Sequence, residues 1–173
     1  FFDKYNSRNP IVKIMMQGFA RNLNSLVKIS GAKDIHEVGC GEGYWLQEWA
    51  TRGIKTQGSD FSQIAIDMAK QNLKSAKQNI DLKVKGIYNL ETESDSATLI
   101  VCCEVLEHLD QPGKALEVLK RIARPFVILS VPNEPIWSIL NMLRGKYWGS
   151  LGCTPGHIQK WSKEEFITLA SKY

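Results

Sequence analysis

The stretch Ile35-His36-Glu37-Val38-Gly39-Cys40-Gly41-Glu42-Gly43 joins a short extended run to the start of an amphipathic one. Residues 35–38 read as a strand that ends at Gly39, while Trp45, Leu46, Trp49 and Ala50 mark a helix that Gly53 closes. Glycines at alternate positions let the backbone turn tightly and approach a ligand without a side chain in the way. The helix that follows offers unsatisfied N–H groups to an anionic or polar ligand end. A tight turn that binds nothing would need the same glycines, so the reading depends on what the rest of the chain supplies.

Outward from this turn, helical and extended patterns alternate. Upstream, Ile11, Ile14, Met15, Phe19, Leu23, Leu26 and Val27 fall at helical spacing after Pro10. Downstream, a second strand covers Ile54 to Ser59, and Ser62 caps a helix carrying Ala65, Met68, Ala69, Leu73 and Ala76. A third strand runs from Ile80 to Lys85, followed by a polar loop through Ser96. The unbroken apolar run Ala97–Cys103 is that of a central parallel strand buried on both faces. Pro112 opens a helix with Leu116, Leu119, Ile122 and Ala123 inward, and Phe126 to Val131 is a fifth strand. Ser162-Lys163-Glu164-Glu165 is a capping box that starts a last helix. Strands alternating with helices predict an α/β fold, an open parallel sheet with right-handed crossovers and helices on both faces. Ligands in such sheets bind beyond the carboxyl ends of the strands.

Asp60 lies at that edge, just past the second strand and about 20 residues after the glycines. A carboxylate there can accept both hydroxyl protons of a ribose, and paired with the glycine turn this reading outweighs that of a simple helix cap. In the dinucleotide pattern G-x-G-x-x-G the last glycine would fall on Tyr44, which argues against an NAD-dependent oxidoreductase. The observed G-x-G-x-G spacing suits a ligand without a pyrophosphate and leaves Glu37 for an amino group.

Glu37 to Gly43, Gly58-Ser59-Asp60 and Cys103-Glu104-Val105-Leu106-Glu107-His108 together resemble the successive motifs of class I methyltransferases that use S-adenosylmethionine. The resemblance is to the small-molecule branch with the methyltransferase 11, ubiquinone-biosynthesis-type domain, and covers Asp34 to Val131. It implies a Rossmann-like sheet of order 3-2-1-4-5 and transfer of a methyl group to a small-molecule acceptor. It also implies that Gly39, Cys40 and Gly41 line the methionine portion of the cofactor, with Glu37 near its ammonium group. Asp60 would hold the ribose hydroxyls, Phe61 would pack beside the adenine, and Glu104 and Val105 would flank the sulfonium. The acidic residue often found after the third strand is replaced here by Gly86-Ile87-Tyr88-Asn89. A domain of this family that binds the cofactor without catalysis is the rival of another class.

His108 closes the last of these motifs and, as a neutral imidazole, could take a proton from a hydroxyl acceptor; a structural histidine is the alternative, and His157 faces the same choice. Arg8 could pair with the cofactor carboxylate or stand solvated on the surface. Residues 1–30 are expected as a capping helix, 34–131 as the cofactor-binding core and 133–161 as a substrate-side lid. The lid segment holds Trp137, Tyr147, Trp148 and Trp161 with Arg144 and Lys146 between them. Core filler and a membrane-touching patch are its other readings. No Cys/His spacing marks a metal, so metal-independent transfer is expected.

The 173 residues fit a single domain, and 43% hydrophobic residues can fill its core. A net charge of +4 with no run of like charges gives no indication of a nucleic-acid partner. The four cysteines Cys40, Cys102, Cys103 and Cys153 show no CxxC spacing and fit reduced thiols in a cytoplasmic protein. No apolar stretch approaches the roughly 20 residues of a membrane span. The family's sheet ends in an antiparallel hairpin after the last helix; the chain stops at Tyr173, so that hairpin is expected to be absent. The edge carrying Phe126, Val127 and Ile128 would then invite self-association.

Overall fold

The computed structural model describes residues 9–75, 80–134 and 157–173. The chain divides into two compact units, Phe1–Lys33 and Asp34–Tyr173. The described residues of the first contain the helix α1 (Pro10–Ser30), in which proline occupies the first turn where no N–H is needed. Asn9 Oδ1 accepts from the Val12 amide at 3.4 Å, and the Ser30 hydroxyl donates to the Val27 carbonyl before Gly31 turns the chain at φ 63°.

The second unit follows the alternation read from the sequence: β1 (Asp34–Val38), α2 (Tyr44–Thr51), β2 (Lys55–Asp60), α3 (Gln63–Asn72), β3 (Asp81–Val84), α4 (Thr92–Asp95), β4 (Ala97–Cys103), α5 (Pro112–Ile122), β5 (Ala123–Ser130) and α6 (Lys163–Ala170). The five strands form one all-parallel sheet of order β3-β2-β1-β4-β5, the predicted Rossmann-like arrangement. Strand order reverses between β1 and β4, and the helices on either side of that point pack into two separate core clusters. Leu46 of α2 and Ile66 and Ala69 of α3 build one core cluster with Cys40. Leu116, Leu119 and Ile122 of α5 build the other with Val38, Ile100 and Cys102, and Phe166 and Leu169 of α6 pack against it. Leu99, Ile100, Val101 and Cys102 are fully buried, as a strand flanked on both sides must be.

Two expectations change. The polar loop before β4 contains a 3-10 turn at Ile87–Asn89 and the one-turn helix α4. Four-residue helices have no apolar periodicity to read; this one is closed by Asp95 accepting from the Glu91 amide at 2.8 Å and by Ser96 Oγ donating to Thr92 at 2.6 Å. Strand β5 begins at Ala123, three residues before the predicted start, directly after α5. Pro125 is tolerated there because, among the described residues, β5 pairs on one side only and needs fewer donors. Five strands are present among the described residues, in which no helix is long and apolar enough to cross a membrane.

Candidate active site

The glycine turn is held by the end of β2. Gly39 and Cys40 both donate their amides to the Ser59 carbonyl, at 2.7 and 3.0 Å, and Gly41 donates to Asp60 Oδ2 at 3.0 Å. Gly39, Gly41 and Gly43 sit at φ 78°, 53° and 79°, backbone that other residues rarely adopt. A Cβ on Gly39 would lie 2.3 Å from Val105 Cγ2, so this glycine lets the ends of β1 and β4 close on each other. Gly41 has open space where a side chain would stand. The turn is therefore packed below and vacant above, which is the shape of a ligand cradle.

Three carboxylates surround it. Glu37, paired in register with Gly58 and Val101, is buried at the end of β1. Asp60 is also buried; its Oδ1 accepts from the Ser62 amide at 2.9 Å while Oδ2 takes Gly41. Each oxygen keeps a further lone pair for a ligand hydroxyl. The cap and ribose readings of Asp60 are thus compatible, and α3 draws its own cap from Ser62, whose side chain accepts from Ala65. Burial, followed by the charges of Glu37 and Asp60, pushes the Cys40 thiol far up, so it stays a packed, protonated group. Glu104 is the one non-glycine residue at positive φ, 58°, among the described residues. Ser130 holds it there from β5: its hydroxyl donates to Glu104 Oε1 at 2.7 Å, and its carbonyl accepts the Glu104 amide at 3.0 Å. Strained backbone of this kind persists where its surroundings over-determine it. Phe61 is 83% exposed beside Gly86.

His108 ends a 3-10 turn after β4, its amide donating to the Val105 carbonyl at 3.0 Å. His157 meets it edge-on with ring centroids 5.0 Å apart. The approach is fixed by the backbone: Ile158 and Gln159 both donate to the Glu107 carbonyl, and Glu134 donates to Trp161. Burial and then His108 lower the proton affinity of His157. Donor atoms of Glu107, His108 and His157 lie within 4.8 Å of one another, a set able to hold a divalent cation. The sequence spacing showed no metal constellation because its third member lies 49 residues beyond His108 and is folded back by the segment after 156.

The structure thus brings together Glu37, Gly39, Cys40, Gly41, Asp60, Glu104 and Val105, with Phe61 at one end and His108 at the other. Arg8 lies outside the described residues, as does the middle of the expected lid, 135–156, with Trp137, Arg144, Lys146, Tyr147 and Trp148. Sequence reasoning missed Ser130, and it placed Ser59 in a motif without assigning its hydroxyl or carbonyl a role.

Comparison with known proteins identifies the family. Residues 36–131 match the family model described as a methyltransferase domain. The ubiquinone biosynthesis O-methyltransferase of Coxiella burnetii is 29% identical over 93 residues, 54% of this chain and 40% of that protein. The enzyme of the same name from Dechloromonas aromatica is 26% identical over 155 residues, 82% of this chain and 66% of that one. The chain therefore spans 40% to about two thirds of the length of these curated relatives. Among solved structures, magnesium protoporphyrin IX methyltransferase from Synechocystis with bound S-adenosylhomocysteine superposes with a TM-score of 0.72 at 18% identity, over 98% of this chain and 80% of that one. A small RNA methyltransferase superposes at 0.67 and 25% identity, over 86% of this chain and 20% of that one. A family match over more than half the chain, on a sheet of this order with the glycine turn at its switch point, shows that the chain belongs to the methyltransferase-domain family on the class I fold.

Proposed function

We propose that the protein transfers a methyl group from S-adenosylmethionine to a small-molecule acceptor at the carboxyl ends of β1, β2 and β4. The observation that carries this reading is the cradle itself: a turn pinned to Ser59 and Asp60, closed against Val105 and open above Gly41. Bound there, S-adenosylmethionine supplies an electrophilic methyl on a sulfonium, so the difficult chemistry is the cofactor's. The protein's part is to bind, orient and exclude water. Gly39–Gly41 face the methionine portion, Glu37 meets its ammonium, Asp60 accepts from the ribose hydroxyls and Phe61 packs beside the adenine. Glu104 and Val105 flank the reacting centre.

On the acceptor side, His108 takes a hydroxyl proton through a ring nitrogen. The names of the ubiquinone-biosynthesis relatives support an oxygen acceptor on a small molecule. A second reading rests on the donor set of Glu107, His108 and His157. A divalent cation held there would bind the acceptor oxygen and lower its pKa. Cytoplasmic residence is supported by Cys40 and Cys102, which pack as buried thiols. The exposed edge at Phe126 and Val127 supports self-association.

The test is calorimetry with S-adenosylhomocysteine and NAD, followed by transfer of labelled methyl into a metabolite extract with and without EDTA. Binding of the first ligand alone and label in a small molecule are expected. Failure to bind S-adenosylhomocysteine would overturn the cofactor reading. Binding without transfer to any acceptor would leave a non-catalytic domain, and label confined to added RNA would move the acceptor class. Activity abolished by EDTA and restored by a divalent cation would favour the second reading of the acceptor side.

A further inference from the structure

Beneath the glycine turn, on the α5 face of the sheet, lies a buried polar chain that the cofactor reading does not use. His36, in β1, is fully buried. Its Nδ1 is 2.6 Å from the Asp95 carbonyl and its Nε2 is 2.9 Å from Ser59 Oγ. A carbonyl can only accept, so Nδ1 carries the proton, Nε2 is the acceptor and the Ser59 hydroxyl donates to it. Asp95 is itself immobilised: its carboxylate, fully buried, takes Lys83 and Lys85 at 2.9 Å each and the Glu91 amide at 2.8 Å. The result is a line of directed contacts from the anchored α4 turn, through an imidazole, to the last residues of β2. There Ser59 offers the carbonyl that both Gly39 and Cys40 use, and the next residue, Asp60, holds Gly41.

We propose that His36 is a positioning residue, which fixes Ser59 and thereby the turn Gly39–Gly41 in its ligand-binding shape. It touches no reacting atom. An apolar residue at 36 would fill the same core space, but it would leave the Ser59 hydroxyl and the Asp95 carbonyl buried without partners. The end of β2 would then lose its side-chain tie to the anchored α4 turn and keep only strand pairing and its bonds to the glycine turn and Ser62. This inference rests on the cofactor reading above and deepens it.

A double-mutant cycle on the whole chain tests it, read as S-adenosylhomocysteine affinity by calorimetry beside the unfolding midpoint of each variant. Ser59→Ala removes the hydroxyl and keeps the carbonyl. His36→Asn keeps a donor toward Asp95 and loses Ser59, whereas His36→Gln places an amide oxygen where Nε2 stood. Ser59→Ala and His36→Asn are each expected to weaken binding about tenfold, and the double variant no further, the coupling expected of residues in one network. His36→Gln should restore most of the affinity. Ser162→Ala, at the distant cap of α6, serves as a control that lowers stability and leaves affinity unchanged. Affinities within twofold of wild type, or losses that simply add, would overturn the proposal while leaving the cofactor reading intact. Absence of binding by the wild-type chain would overturn both. If His36→Asn does not fold, Ser59→Ala alone decides by the same tenfold criterion.

Discussion

At the scale of single residues, the site is a set of backbone groups made available by side chains that hold them. Asp60 illustrates this: one oxygen shapes the turn through Gly41, the other starts the approach to α3 through Ser62. Asp60→Ala should therefore lose a charge-assisted bond to the ligand, worth about 1.5–3 kcal/mol, together with the support of the turn. That corresponds to S-adenosylhomocysteine binding weakened roughly tenfold to a hundredfold in a chain that still folds. Calorimetry on the purified variant checks it, and unchanged affinity would remove Asp60 from the ribose. His108 carries the opposite signature. It stands after the Glu104–Val105 corner with its amide tied to Val105 and its ring against that of His157. His108→Ala should cut turnover by about 10²–10⁴ while leaving S-adenosylhomocysteine affinity unchanged. Equal losses of rate and stability would mark a structural histidine instead.

At the scale of elements, the ends matter most, because each helix must satisfy donors that its own ladder leaves over. Helix α6 does so with a full capping box: Ser162 Oγ accepts from the Glu165 amide, and Glu165 reaches back to the Ser162 amide at 2.8 Å. That backbone bond holds the Glu165 carboxyl below its ordinary range. Ser162→Ala should cost about 0.5–2 kcal/mol, seen as a lower thermal midpoint with cofactor affinity unaltered. This cap was legible beforehand because its residue types stand at fixed spacing, and so were β4, an unbroken apolar run, and the turn at Gly39–Gly43. Helix α4 was not legible. Its four residues show no period, and the carboxylate of buried Asp95 is paired by Lys83 of β3 and by Lys85 just past that strand, a pairing that depends on the sheet being formed. The same holds for His157, which becomes a neighbour of His108 only once Ile158 and Gln159 bind the Glu107 carbonyl. Motifs confined to one turn are written in the sequence, whereas contacts made by the register of distant strands are written in the fold.

At the scale of the whole molecule, two features predict behaviour in solution. The outer strand β5 exposes Phe126 and Val127 and has β4 on one side only, among the described residues. Unpaired edges template pairing, so light scattering should show concentration-dependent association, which a lysine at Val127 suppresses. A monomer at every concentration would dismiss that edge as an interface. The second feature is the buried chain of His36 and Asp95, which links folding to pH. Burial lowers the pKa of His36 below 6.5, although the Asp95 carbonyl and charge favour its proton and Lys83 and Asp81 add opposing charges. Above pH 6.5 the imidazole is neutral in both the folded and the unfolded chain and stability does not change. Below it the unfolded chain takes up a proton that the folded one refuses, so stability falls as pH drops through that value. Asp95 acts lower on the scale. Burial opposes its ionisation, but the Glu91 amide and the two lysines outweigh this and hold its carboxyl well below 3.8. Its contribution is complete above that pH and is lost only as pH falls further. Urea midpoints measured from pH 8 to 5 should therefore decline below about 6.5, ahead of any carboxylate effect. His157, whose proton affinity is also lowered, adds to the decline in the same direction. The comparison that isolates His36 is with His36→Gln, which has nothing to titrate at that position and should lose less stability between pH 7 and 5. Parallel curves for the two proteins would show that the buried imidazole is not what links folding to acid.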